Sequence, residues 1–187
     1  MVQAIPSLKS HTSEPPLAMN GDFRQFSWGE SMDYVKQHHQ GKLEEQSKNS
    51  LIYEGSIDGI RCSIVYGFSD NKLYMAAYSS KETHFNKNDY INDYDKLNAR
   101  LTEKYGKPDS EKIIWKNDLF KGDEQDRGIA IATGELVYAA MWTIEGATII
   151  SGLAGDNFKI KHAIIYENIA LKKEHEQRGQ AATIDLL

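Results

Sequence analysis

The chain is poor in cysteine, in proline and in long apolar runs, and each shortage excludes a class of protein. Its one cysteine, Cys62, cannot form an internal disulfide or a multi-thiolate metal site. No segment reaches the roughly 18 to 20 apolar residues that a membrane-spanning helix requires. With only four prolines, 26% charged and 40% hydrophobic residues, the composition of the 187 residues is that of a globular protein. A chain of this length can bury a core without a disulfide or a metal.

Basic residues are also scarce relative to acidic ones, 22 Lys and Arg against 27 Asp and Glu, which gives a formal net charge of -5. Because no basic block is long enough to neutralise a track of phosphates, nucleic acid is not an expected partner. Residues 1–22 lack the apolar segment of a secretory signal and predict a disordered leader. The sequence as given therefore predicts a cytoplasmic protein. A removed signal segment would instead place it in the cell envelope or periplasm.

The periodicity of the first half predicts a helix, three strands and a long helix. Ser31 is suited to cap a short helix that carries Met32 and Val35 on one side. Period-two patterns over 51–57, 60–68 and 72–80 predict three antiparallel strands, and Asp58-Gly59 favours a tight turn between the first two. The long helix, over 89–105, has a single apolar stripe at helical spacing: Tyr90, Tyr94, Leu97, Leu101 and Tyr105.

The second half predicts about five further strands, at 112–117, 128–133, 136–144, 147–153 and 158–166. A charged helix over 168–177 follows, and residues 178–187 have no pattern that obliges them to order. This arrangement predicts an α+β fold in which an antiparallel sheet has its helices packed on one face. We expect one domain over 23–166, with 167–187 as a charged C-terminal helix and tail.

A family resemblance rests on two stretches of the chain. The first is Phe26-Ser27-Trp28-Gly29-Glu30-Ser31 with Val35, and the second runs from Tyr94, Leu97 and Leu101 to Tyr105-Gly106-Lys107-Pro108. They resemble a loose set of uncharacterised bacterial proteins, often secreted or lipid-anchored. That set is similar to the fold group of β-lactamase inhibitor proteins and outer-membrane-assembly lipoproteins. The resemblance implies a helix-plus-antiparallel-sheet fold and a link to the cell envelope, and it carries no catalytic residue to transfer.

Residues with reactive or ligating side chains predict neither a metal nor a cofactor. His38 and His39 with Glu44 and Glu45 could form a metal site, but adjacent helical residues point about 100° apart, which favours a solvated helix end. Cys62 falls on the apolar face of a strand, which favours a small buried hydrophobe over a nucleophile. The acidic segment 118–127 lacks the ligand spacing of a calcium loop and is expected to be a hairpin loop.

Two classes of function remain open. Aromatic side chains on the strands indicate an open sheet face that binds another protein, and the residues expected there are Tyr74, Tyr78, Tyr138 and Trp142. The alternative is a small-ligand-binding protein or small enzyme, with a pocket between the long helix and the sheet that uses His162 and Tyr66. We favour the first, non-enzymatic class. The sequence does not set the oligomeric state.

Overall fold

A computed structural model describes residues 22–117, 121 and 123–184, with side chains as far as Arg178. Its strands are β1 (Leu43–Gln46), β2 (Ser50–Ile57), β3 (Ile60–Ser69), β4 (Lys72–Ser80), β5 (Ser110–Trp115), β6 (Leu136–Ile144), β7 (Ala147–Asp156) and β8 (Lys159–Asn168). Its helices are α1 (Met32–His38), α2 (Asp89–Tyr105), α3 (Arg127–Ala132) and α4 (Ile169–Ile184). The predicted leader, apart from Asp22, lies outside the described residues.

The strands that the structure describes form one eight-stranded sheet in the order β1-β2-β3-β4-β8-β7-β6-β5. Every neighbouring pair is antiparallel. Each half of the chain forms a meander, and the two meanders meet where β4 pairs with β8. Asp58 (φ 49°) and Gly59 (φ 80°) make the turn between β2 and β3, as their positive φ preference predicts. The predicted α+β fold with an antiparallel sheet is confirmed.

One face of the sheet, the covered face, lies under α1, α2 and α3. The predicted stripe of α2 is buried there at Tyr90, Tyr94, Leu97 and Leu101. Val35 of α1 and Ile131 of α3 are fully buried in the same layer. Ser31 caps α1 as expected, because its side chain accepts the Tyr34 N–H. These contacts make the covered face the core of the fold.

Two elements differ from the prediction. Residues 128–133 were expected to be a strand, yet Arg127–Ala132 is the helix α3. Alternating Ile and Ala over six residues does not distinguish a strand from a short buried helix. Gly128 allows α3 to approach the residues just before α2 closely, since a Cβ there would lie 2.4 Å from the backbone of Lys87. The edge strand β1 was not predicted because its sequence, LEEQ, has no apolar alternation.

The prediction that all helices lie on one face is wrong for α4. Lys172 of α4 pairs with Glu167 at 2.6 Å, and His175 stacks on Tyr74 with ring centroids 4.7 Å apart. Both partners lie on the face opposite the covered one, which we call the outer face. Helix α4 also continues past the predicted end at 177, and Arg178 there pairs with Asp70 at 2.9 Å. Among the described residues, no helix is long and apolar enough to cross a membrane.

Candidate functional site

The aromatic residues expected on an open face lie mostly in the core. Tyr78 and Tyr138 are each 5% exposed and Trp142 is 2% exposed, so the prediction that they form an open binding face is wrong. Only Tyr74 faces the other way, where it is half-buried against His175. The physical reason is that these strands are apolar on both faces. Alternation alone therefore does not show which face the helices cover.

A strand irregularity contributed to this error. Gly67 pairs with Met75 and Phe68 pairs with Leu73, so Tyr74 is the extra residue of a β-bulge in β4. The bulge shifts the alternation by one residue, which places Leu73 and Ala76 on the same face. Tyr78 follows Ala76 onto the covered face and pairs with Ile64 and Ile164.

A pocket of about 300 Å³ opens between α2 and the β2–β3 hairpin. We call it the helix pocket. Its walls combine aliphatic side chains with five charged ones, and Tyr78 forms its buried floor. Its lining residues are Arg24, Ser56, Ile57, Asp58, Tyr78, Leu97, Arg100, Leu101, Glu103 and Lys104. The structure thus has a pocket between the long helix and the sheet.

Ion pairs hold the two walls of the helix pocket together. The Lys96 ammonium group donates to the Asp58 carbonyl at 2.6 Å and lies 3.4 Å from its carboxylate. Arg100 Nε lies 3.4 Å from the same carboxylate, and its guanidinium also donates to Glu103 at 3.0 Å. Both cations belong to α2, while Asp58 forms the hairpin turn. The carboxylates of the pocket are therefore already neutralised by neighbouring cations, chiefly Arg100.

Arg24 enters the pocket from a tight turn whose flanking rings anchor it. Phe23 and Phe26 are each 1% exposed and exchange backbone hydrogen bonds at 3.2 and 3.1 Å. Arg24 stands between them with φ 56°, and its guanidinium carbon lies 5.9 Å from the centroid of the Tyr78 ring. Its Nε is buried and has no hydrogen-bond partner among the described residues. A buried donor of this kind favours an acceptor in the pocket.

Lys104 adds a second cation whose ionisation is perturbed. Burial lowers the pKa of its ammonium group to about 8, and Nζ lies 4.7 Å from the centroid of the Tyr105 ring. Three cations and two carboxylates line the pocket, so its formal charge is positive although the chain is negative overall. Burial also raises the pKa of Tyr78 to about 12, so the floor is a neutral hydroxyl at physiological pH.

The two polar residues expected in such a pocket do not line it. His162 is 3% exposed, next to a cavity of about 10 Å³ that has room for about one water molecule. Burial lowers its pKa to about 4. Tyr66 packs elsewhere, with its hydroxyl 3.0 Å from His39 Nδ1. Tyr66 shares a row with Tyr166, four residues or about 13 Å along β8 from His162, so the two do not meet.

The other reactive residues occupy separate places. His38 Nδ1 lies 2.8 Å from the Tyr34 carbonyl, and the His39 ring packs against the Tyr53 ring with centroids 3.8 Å apart, so the two imidazoles do not converge. Cys62 is buried. Within the ranges that the structure describes, no group of three or more His, Cys, Asp or Glu side chains could hold a metal ion. The acidic segment 118–127 lies partly outside the described residues.

Known proteins add no assignment to this geometry. Comparison of the chain with protein-family models, with curated proteins and with solved structures finds no match. The resemblance to uncharacterised bacterial envelope proteins stays a prediction.

Proposed function

We propose that the protein is a non-enzymatic binding protein that takes a small organic acid into the helix pocket. The observation that carries the proposal is the pair of cations, Arg24 and Lys104, that line a pocket with an apolar wall. Acid here means a compound with one carboxylate or similar anionic group and a compact apolar body.

The charge of the ligand follows from the charges of the pocket. The buried Nε of Arg24 has no hydrogen-bond partner among the described residues, while the rest of its guanidinium group interacts with the Tyr78 hydroxyl on the pocket floor. The lowered pKa of Lys104 shows that burial disfavours its charged form, and an anion bound nearby would favour that form again. An anion also makes charge-assisted hydrogen bonds, which are stronger than neutral ones.

The rest of the ligand follows from the walls. Ile57, Leu97 and Leu101 supply aliphatic surface, and the Tyr78 ring supplies an aromatic floor. A volume of about 300 Å³ is at the small end of ligand pockets, which favours a body the size of one ring or a short chain. The proposed ligand therefore has an anionic head at the cations and an apolar body against α2.

The test uses two compounds that share one body and differ in charge, phenylbutyrate and phenylbutylamine. Each is titrated against the purified protein by isothermal calorimetry. We expect saturable binding of phenylbutyrate and at least tenfold weaker binding of the amine, because only the carboxylate can pair with Arg24 and Lys104. Equal affinity for the two compounds would contradict the proposal.

A matched pair of variants locates the site. Lys104→Met keeps the aliphatic stem and removes the charge, and we expect phenylbutyrate affinity to fall about tenfold. Lys107→Met removes an exposed charge just beyond the end of α2 and should leave affinity unchanged. In the wild type, affinity should also decline above about pH 8, where Lys104 loses its proton. A Lys104→Met protein that binds as well as the wild type would refute the assignment.

A further inference from the structure

A small cavity of about 10 Å³, which we call the inner cavity, adjoins the helix pocket. Three residues, Ile57, Tyr78 and Leu97, line both spaces, so the inner cavity lies directly behind the helix pocket. Tyr78 and Leu97 are both buried, so the two spaces extend from the surface into the core. The inner cavity has room for one group the size of a water molecule. A ligand in the helix pocket can therefore place one small group, such as a hydroxyl, in it.

His162, which does not line the helix pocket itself, gives the inner cavity a polar wall. Its side chain is 3% exposed, and neither Nδ1 nor Nε2 has a hydrogen-bond partner among the described residues. Burial lowers the pKa of the imidazole to about 4, so at neutral pH the ring carries one N–H donor and one acceptor nitrogen. Buried polar groups of this kind are costly to leave unpaired. A hydroxyl group can satisfy either nitrogen, because it both donates and accepts.

The hydroxyl groups that line the inner cavity already have partners. Ser80 Oγ accepts the Glu82 N–H at 3.2 Å. The Tyr78 hydroxyl interacts with the guanidinium group of Arg24. The imidazole of His162 is therefore the polar group that a hydroxyl in the inner cavity would meet.

The position of the inner cavity relative to the pocket cations follows from α2. Leu97 and Lys104 both line the helix pocket, and at 1.5 Å per residue they are about 10 Å apart along the helix axis. Lys104 is one of the cations proposed to hold the acid group, whereas Leu97 borders the inner cavity. A ligand with its acid group at Lys104 and its apolar body along α2 therefore presents its far end to the inner cavity.

We infer that the helix pocket selects aryl acids that carry a hydroxyl at the end of the ring opposite the acid group, and that His162 binds this hydroxyl. This assignment rests on the proposed function, because it takes the acid group to be held by Arg24 and Lys104. A methoxy group at the same position of the ring has no donor and is larger than the inner cavity. The inner cavity therefore determines specificity, since it accepts a hydroxyl and disfavours a larger substituent.

The test compares three compounds that share one acid group and one chain: phenylbutyrate, 4-(4-hydroxyphenyl)butyrate and 4-(4-methoxyphenyl)butyrate. Each is titrated against the wild-type protein by isothermal calorimetry. We expect the hydroxyl compound to bind about tenfold more tightly than phenylbutyrate, and the methoxy compound to bind more weakly than phenylbutyrate. Equal affinity for phenylbutyrate and the hydroxyl compound would overturn the inference and leave the proposed function intact. Absence of binding by all three compounds would overturn both.

Two variants separate the two ends of the ligand. His162→Leu removes both ring nitrogens, and we expect the preference for the hydroxyl compound over phenylbutyrate to disappear. Lys104→Met should weaken both compounds about tenfold and keep the preference, because it removes only a partner of the acid group. His162→Gln keeps a donor and an acceptor and should retain part of the preference. A His162→Leu protein that keeps the full preference would overturn the inference.

A measurement on the wild-type protein applies even if the His162 variants fail to fold. The ring nitrogens of His162 are followed by long-range ¹H–¹⁵N NMR spectra as each compound is added. We expect the hydroxyl compound to shift these nitrogens and phenylbutyrate to shift them much less, because only the hydroxyl compound can hydrogen-bond to the ring. The exposed His38 ring serves as the control and should not shift. A His162 ring that responds equally to both compounds, or to neither, would overturn the inference.

Discussion

The two faces of the sheet use the same strands and differ in what their side chains can do. On the covered face the large rings of Tyr66, Trp142 and Tyr166 are at most 2% exposed. On the outer face the alternate positions are aliphatic or small, as at Ile165 and Gly152. Aromatic rings fill the deep space between a sheet and its helices, whereas short side chains suit a face with no such space to fill. Ring-rich positions therefore indicate the core of this protein, and the aliphatic alternation indicates its accessible side.

The largest expected change in stability distinguishes two adjacent residues of β6, each truncated to alanine. Trp142 is buried and donates its indole N–H to the Gly106 carbonyl at 2.9 Å, while Met141 points to the outer face. We expect Trp142→Ala to lower the free energy of unfolding by about 3 to 5 kcal/mol and Met141→Ala by less than about 1. Urea unfolding at low protein concentration measures both values. Similar losses for the two variants would contradict the assignment of faces.

A second test uses the buried imidazole of the covered face. The pKa of His162 is about 4 when folded, below its ordinary value near 6.5, so between these values the unfolded chain binds more protons. Wild-type stability should therefore fall as the pH drops from about 6.5 to 4, and His162 should contribute roughly 2 kcal/mol of the loss. In His162→Leu this part of the acid-induced loss should disappear. Urea unfolding across this pH range measures the change, and an unchanged acid-induced loss in His162→Leu would contradict a buried neutral imidazole.

The smallest expected effect is the change in Tm when Lys104, one of the cations that line the helix pocket, is replaced. Lys104 carries a lowered pKa, so its burial opposes folding while it is protonated. With allowance for the solvent that still reaches the ammonium group, Lys104→Met should raise Tm by about 2 °C at neutral pH. The gain should vanish as the pH rises from about 8 to 10.4, where the wild-type lysine loses its proton in both states. Lys107→Met is the control, and an unchanged or lower Tm in Lys104→Met would argue against a buried cation.

Much of the fold could be predicted from the sequence, because the patterns that indicate its helices, strands and turns are local. The apolar spacing of α2, the Asp58-Gly59 turn and the alternation of β3 each depend on residues close in the chain. The segment of α3 was misassigned because its burial depends on contacts with β6 and β7, which are distant in sequence. The face on which α4 lies was also set by tertiary contacts rather than by its own pattern.

Only part of the candidate site could be predicted from the sequence. A pocket between the long helix and the sheet was expected as the alternative, but not its residues. Lys104 had a usable signal, because it lies three residues after Leu101 and so borders the buried stripe of α2. Arg24 had none, since its position depends on a turn held by Phe23 and Phe26 against distant rings. The β-bulge at Tyr74 places Tyr78 on the covered face, at the pocket floor, and no sequence pattern predicts this bulge either.

The most direct test of the account is to map where phenylbutyrate binds by amide chemical shifts in NMR. Because the helix pocket is on the covered side, the largest shifts should fall on the hairpin turn at Ile57 and Asp58 and on α2 at Leu97 and Leu101. The outer face, represented by Ile150 and Ile165, should remain unshifted. Shifts centred on the outer face, or none on the hairpin and α2, would contradict this location of the ligand.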